Sequence, residues 1–356
     1  METLIFSYSF LLVKMGVNLT PIIVKHTLRL EDLRGKSFAV DANNYLYQFL
    51  ALIRTPNGTP LKDSSGNITS HLAGLIFRTT RLLYEYDLHL VFVFDGEPPK
   101  LKFAEISKRR ELREKAYEEW VKALGRGDYA AAFSKAVVTS RLTRDMINDA
   151  KRVLELLGIP YVQAPSEAEA QAAYMASRGD VWAASSKDYD SLLFGANRLL
   201  RYLTITGKEY LPSKGTFRLL KPELIELNEL LSTYRITRQQ LIDLAIMVGT
   251  DFNEGIKGIG PKKALKLIKT YGKLENLPEK LLKKLPSNFD EIRKIFLEPE
   301  VTYDYKLEYG RLKEEELYQF LCKERDFSKK RVETAVRRMK AFYSRRKQMK
   351  LGKWIN

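Results

Sequence analysis

Carboxylates recur at the ends of apolar runs in this 356-residue chain. Asp41 ends FAVD, and Asp95 ends VFVFD just before GEPP. Asp188 and Asp190 follow AASS in KDYD, and Asp251 follows the apolar pattern LIDLAIMVG. The stretch PSEAEA (165–170) adds Glu167 and Glu169 at a helix start. Two positions along a helix is roughly 200° of rotation, so these two side chains should not share a face. Singly, each acid has an ordinary structural use. An aspartate after a strand closes a turn or caps a helix, and Ser166 followed by Glu169 has the form of a capping box. Seven together are harder to dismiss, because their repulsion is costly unless cations neutralise it. Oxygen ligands without His or Cys select Mg²⁺ or Mn²⁺. A single Mg²⁺ that keeps several waters cannot use seven carboxylates, so two ions are expected. Such a pair activates a water and stabilises the leaving oxygen in phosphodiester hydrolysis.

Composition agrees with a polyanionic substrate. Sixty Lys+Arg against 44 Asp+Glu give a formal charge of +16, which favours nucleic acid or an acidic membrane surface. A basic surface to hold a polyanion and an acidic pocket to hold metals are compatible roles. Cys322 is the lone cysteine, which excludes an intrachain disulfide and a thiolate metal site. His26, His71 and His89 are scattered, which argues against a zinc enzyme. The N-terminal apolar run in METLIFSYSFLLVK is too short to span a bilayer. It has neither a basic n-region nor a small-residue cleavage site. A soluble, intracellular protein without membrane association is expected.

The elements that must position the acids follow from periodicity. SFAVD (37–41), HLVFVFD (89–95) and VWAASS (181–186) read as buried strands. Amphipathic helices are expected near 42–54, 70–86, 143–157 and 166–178. That alternation indicates an α/β domain with a mostly parallel sheet. In such sheets, sites form beyond the carboxyl ends of the strands, where Asp41, Asp95, Asp188 and Asp190 would all fall. Residues 55–69 read as a long loop, and 98–140 as a charged helical insertion. From about 222 the chain reads as helical, ending in a basic helix at 328–347.

Assembled, these motifs resemble the flap endonucleases, structure-specific 5′ nucleases of DNA replication and repair. FAVDANNYLYQFL, VFVFDGEPPKLK, APSEAEAQAAY, SSKDYDSLLFG and GTDFNEGIKGIGPKKA carry the resemblance, which runs from Met15 to the C-terminus. It implies a PIN-like, Rossmann-like α/β core and a two-metal site at Asp41, Asp95, Glu167, Glu169, Asp188, Asp190 and Asp251. It also implies a helical arch at 98–140, through or under which a single-stranded 5′ flap passes. By the same resemblance, Lys102 and Arg109 contact the scissile phosphate, Glu167 lies against the DNA, and the nucleotide beside the cut stacks on Tyr47.

GIKGIGPKKALKLI (255–268) is a phosphate cradle on physical grounds alone. Gly258 and Gly260 expose backbone N–H groups, Pro261 suits a first helical turn, and Lys262 and Lys263 flank the dipole's positive end. The resemblance makes it a helix-two-turn-helix element (about 237–272) gripping duplex DNA. A monovalent cation, K⁺, would be held there by main-chain carbonyls of Gly255, Ile256 and Ile259. Gly255 stands where some relatives carry serine, so a side-chain ligand is missing.

The tail QMKLGKWI (348–355) has the spacing of a sliding-clamp box at Gln348, Leu351, Trp354 and Ile355. The expected organisation is a leader at 1–14, core at 15–97 and 141–275, and arch at 98–140. A helical region at 276–347 and the clamp tail at 348–356 complete it. MGVNLTPII at Met15 matches the family's beginning, so 1–14 is expected to be an upstream extension with no core to join. A monomer in an archaeal cell is expected, cytoplasmic and nucleoid-associated, or nuclear if the source is eukaryotic. The expected activity is 5′ flap cleavage with weaker 5′–3′ exonuclease action. A related bubble or junction nuclease and a non-catalytic DNA-binding clamp adaptor are the rivals. The unbroken acid set speaks against the adaptor.

Overall fold

A computed structural model describes residues 7–8, 16–55, 58–203, 207–211 and 216–352. Its centre is a seven-stranded sheet in the order His26–Thr27, Glu223–Glu226, Arg198–Arg201, Ala183–Ser185, Ser37–Asp41, His89–Phe94, Tyr161–Gln163. The last five run parallel, and Glu223–Glu226 is antiparallel to both of its neighbours. The fold is therefore α/β with a mostly parallel sheet, as the alternation of strands and helices predicts.

Strand side chains alternate between two cores, which is how a sheet buried on both faces reads. Phe38, Val40, Leu90, Phe92 and Phe94 enter one core with the helices Ala42–Leu52, Ser70–Tyr86, Arg144–Leu157 and Lys329–Gly352. Ala39, Val91, Val93 and Ala184 enter the other, with Ala168–Arg178, Arg238–Val248 and Pro261–Tyr271. The 98–140 insertion forms the helices Phe103–Gly125 and Tyr129–Val138, which pack on each other.

Several elements differ from the sequence reading. Tyr161–Gln163, Arg198–Arg201 and Glu223–Glu226 are strands, the last within the stretch read as helical. They are short, and in the last two the charged residues hide the apolar signal. Arg201, for instance, is buried because its guanidinium lies 4.1 Å over the Tyr189 ring and bonds Tyr189 Oη at 2.6 Å. The leader also finds a partner. Ser7–Tyr8 pairs parallel to Glu209–Tyr210, extending the hairpin Gly207–Leu211/Thr216–Leu220. Residues 1–6 and 9–15, including Met15, lie outside the described residues. The last helix continues to Gly352, so Gln348 and Leu351 lie on it. Trp354 and Ile355 lie outside the described residues.

Candidate active site

The carboxyl ends of the parallel strands open into a cleft of about 290 Å³. Asp41, Asp95, Glu167, Glu169, Asp188 and Asp251 line it, together with Gly16, Tyr47, Lys102 and Arg109. Asp190 sits just behind them, 4 % exposed, accepting the Val17 N–H at 2.9 Å. All seven acids singled out from sequence thus gather at one sheet edge.

Each acid is fixed by local structure. Asp41 closes its strand and caps the next helix, accepting the Asn44 N–H at 2.9 Å. Asn44 also donates from Nδ2 to Asp188 Oδ2 at 2.8 Å, so its backbone and side chain tie two acids to one residue. Asp95 accepts the Ala168 N–H at 2.8 Å, which revises the capping box. The helix begins at Ala168, and neither Ser166 nor Glu169 caps it, because Asp95 from the neighbouring strand takes the first amide. The two chain segments are clamped together by Gly96 N–H to Ser166 O at 2.6 Å and Glu97 N–H to Pro165 O at 3.1 Å. A Cβ on Gly96 would lie 2.2 Å from Pro165 O, so glycine is required for that approach.

The 98–140 insertion brings the cations. Lys102 Nζ donates to Glu167 Oε2 and lies 3.3 Å from Asp251 Oδ2. Arg109 donates to Asp251 Oδ1 at 2.6 Å and to Glu105 Oε1 at 3.1 Å. Gly16 N–H also donates to Asp251 Oδ1, at 3.0 Å. Burial would raise the Asp251 carboxyl, but Lys102 and Arg109 outweigh it and hold Asp251 below the ordinary range. Five of the other acids go the other way. Burial and the charge of Asp251 push Asp190 up to about 8. Burial lifts Asp188 to about 6, with Asp251 adding to the rise. Burial raises Glu167 even against Lys102, and burial with neighbouring carboxylates holds Asp41 and Glu169 well above their usual range.

That pattern describes an uncompensated negative site. As placed, no three acids among the described residues converge as a ligand set, and the ammonium of Lys102 stands between Glu167 and Asp251. The donor chemistry nevertheless fits hard divalent cations: carboxylate oxygens, no imidazole, no thiolate, and a charge excess that a cation would relieve.

Sequence reasoning missed three residues here. Asn44, Arg113 and Arg141 line the cleft. Asn44 was detectable from its N-cap spacing to Asp41, and Arg113 from standing four residues after Arg109. Nothing in the sequence marks Arg141. The cradle at 255–263 is a separate feature. Pro261 opens its helix with Gly260 at the cap, and Lys262 and Lys263 are exposed. Ile259 N–H donates to Ile256 O at 2.9 Å, closing the turn. A Cβ on Gly255 would lie 2.1 Å from Val248 O, so this backbone leaves no room for a serine there.

An acid-lined cleft at the carboxyl edge of a parallel sheet, crossed by basic residues from an inserted helix, is a nuclease arrangement. Two family models match the chain: the XPG N-terminal domain over residues 15–116 and the XPG I-region over 158–251. Flap endonuclease 1 of Caldivirga maquilingensis is 51 % identical over 334 residues, 92 % of this chain and 95 % of that one. The solved flap endonuclease-1 from Methanococcus jannaschii has a TM-score of 0.74 at 41 % identity, covering 93 % of this chain and 100 % of that one. The catalytic core of Rad2 in complex with DNA substrate has a TM-score of 0.67 at 25 % identity, over 90 % and 97 % of the two chains. This chain belongs to the flap endonuclease family.

Proposed function

We infer that this protein is a structure-specific nuclease that hydrolyses 5′ flaps at junctions of single- and double-stranded DNA. The observation that carries the reading is the gathering of seven acids at one cleft bordered by Lys102 and Arg109. Asp41, Asp95, Glu167, Glu169, Asp188, Asp190 and Asp251 would hold two Mg²⁺ ions, with Mn²⁺ as a substitute. Bound there, such a pair supplies an activated water and charge stabilisation for the leaving oxygen. The chain's own groups do the rest. Lys102 and Arg109 offer the scissile phosphate the cations now paired with Glu167 and Asp251. Half-buried Tyr47 offers a ring for the neighbouring base, a sequence-tolerant contact. The helices spanning 103–138 form the arch that borders the unpaired strand.

The test is product mapping on flap, nicked, bubble and four-way-junction DNA, with and without Mg²⁺. Cleavage at the flap base that needs Mg²⁺ is the expected result, with a weaker 5′ exonuclease ladder. Preference for bubbles or four-way junctions would overturn the flap assignment, and no cleavage of any substrate would leave the adaptor.

The 255–263 element grips the duplex through the phosphate backbone, with K⁺ as a candidate occupant of its carbonyl turn. Lys262→Ala with Lys263→Ala should weaken binding uniformly across sequences. It should also flatten the slope of log affinity against log salt by roughly one to two units. An unchanged slope would mean that these lysines only face solvent.

Gln348, Leu351, Trp354 and Ile355 form a docking segment for a ring-shaped sliding clamp. Deleting residues 348–356 should abolish clamp stimulation and leave cleavage of short flaps intact. Equal clamp affinity of full-length and shortened protein in calorimetry would refute it.

A further inference from the structure

The helix Phe103–Gly125 carries large side chains that no core accounts for. Phe103 and Tyr117 are each 54 % exposed, and Val121 is 49 % exposed. At about 100° per residue, positions 103, 110, 117 and 121 fall within about 40° of one another. Phe103, Arg110, Tyr117 and Val121 therefore form one edge of the helix. Arg113 lies just inside that edge, lines the acidic cleft, and precedes Tyr117 by one turn. The packed side of the helix lies elsewhere, with Ala116 buried and the Tyr129–Val138 helix against it. Trp120 braces Tyr117 edge-on, the ring centroids 5.6 Å apart at 67°. The Trp120 indole Nε1 is buried without an acceptor among the described residues.

Exposed rings interleaved with arginines suit an unpaired nucleic-acid strand. Its bases can lie on the rings while its phosphates meet guanidinium groups. A duplex would hide the base faces. An apolar protein surface would make no use of the Arg110 guanidinium on this edge, whose pair with Glu114 at 3.0 Å is exposed and of little net worth. From Phe103 to Tyr117 the edge runs about 21 Å, long enough for several unstacked bases.

We propose that Tyr117 is a base-stacking platform for the unpaired strand beside the cleft, with Phe103 a second platform on the same edge. The protein then holds a flap through its bases one turn beyond the cleft-lining Arg113. This inference rests on the flap-nuclease reading above and adds base contacts to it.

Single-turnover cleavage tests it. For a long oligothymidine flap, Tyr117→Ala should raise the half-saturating enzyme concentration about tenfold, as loss of one stacked base implies. For a single-nucleotide flap it should change nothing, and Tyr117→Phe should behave as wild type on both. Abasic sites in the long flap should weaken wild type by a similar factor and leave Tyr117→Ala unmoved. Equal half-saturation of wild type and Tyr117→Ala on the long flap overturns the proposal, as does equal weakening of Tyr117→Ala on both flaps. Failure of wild type itself to cut either flap would instead refute the flap-nuclease reading.

Discussion

Asp188→Asn is expected to lower flap cleavage by about 10³-fold or more, some 4 kcal/mol of barrier, while flap-DNA affinity changes little. Asp188 lies within the cleft with its Oδ2 on Asn44 Nδ2, and the substitution keeps the size of the side chain and removes its charge. The proposed phosphate grip lies elsewhere, on Lys262, Lys263 and the helices of the 98–140 insertion. Asp95→Ala should have a comparable effect for a compound reason. It removes a carboxylate from the cleft and also uncaps Ala168 at the start of the helix beside Glu167 and Glu169. Cleavage kinetics and binding isotherms on one flap substrate separate the two quantities. Asp188→Asn cleaving at near the wild-type rate in Mg²⁺ would refute the carboxylate assignment.

Thermal stability should depend on pH and Mg²⁺ together. In the unfolded chain Asp190 ionises near 3.8, but in the fold burial and the charge of Asp251 delay this to about 8. Between those limits the folded state binds more protons than the unfolded one, so stability falls as pH rises. Raised Asp41 and Glu169 add to the fall. Buried His71 acts oppositely. Burial lowers it to about 3, so it favours folding increasingly as pH rises through 6.5, levelling off about a unit above; burial lowers His89 in the same direction. Between pH 6.5 and 8.5 this opposing contribution dies away and the acids dominate. The metal-free protein should melt a few degrees lower at pH 8.5 than at 6.5. Mg²⁺ prefers the ionised acids, so its stabilisation should be larger at the higher pH. Differential scanning calorimetry at the two values decides it. Asp190→Asn should flatten the pH dependence, and an Mg²⁺ shift of equal size at both values would refute the account.

Asp41 and Asp95 were legible because each stands where a strand must stop. Alternation in SFAVD and HLVFVF sends successive side chains into opposite cores, so the next polar residue lands on the open edge. The Ser37–Asp41 strand and the Ser70–Tyr86 helix accordingly match the sequence reading. What escaped detection depends on contacts between distant segments. Asp95 caps a helix 73 residues away, a partnership no local pattern carries, while Ser166 and Glu169 offered a complete but unused local alternative. Glu223–Glu226 escaped because only Ile225 is buried among its four residues, so a short charged strand looked like the start of the helical region. The exposed rings of the arch read as ordinary residues of a charged helix, because exposure is a property of the fold.

The order of strands also constrains how the enzyme comes into being at the ribosome. Ser37–Asp41 lies between His89–Phe94 and Ala183–Ser185, so the strand carrying the first acid must wait for a neighbour made almost 150 residues later. At ordinary elongation rates that wait is roughly 7 to 30 s. Through it, one edge of an apolar strand stands unpaired, a surface open to chaperones and to aggregation. Asp251 arrives later still, and until it does the acid set is incomplete. On the proposed carboxylate assignment, a nascent chain of this protein passes most of its synthesis unable to cut the nucleic acids around it.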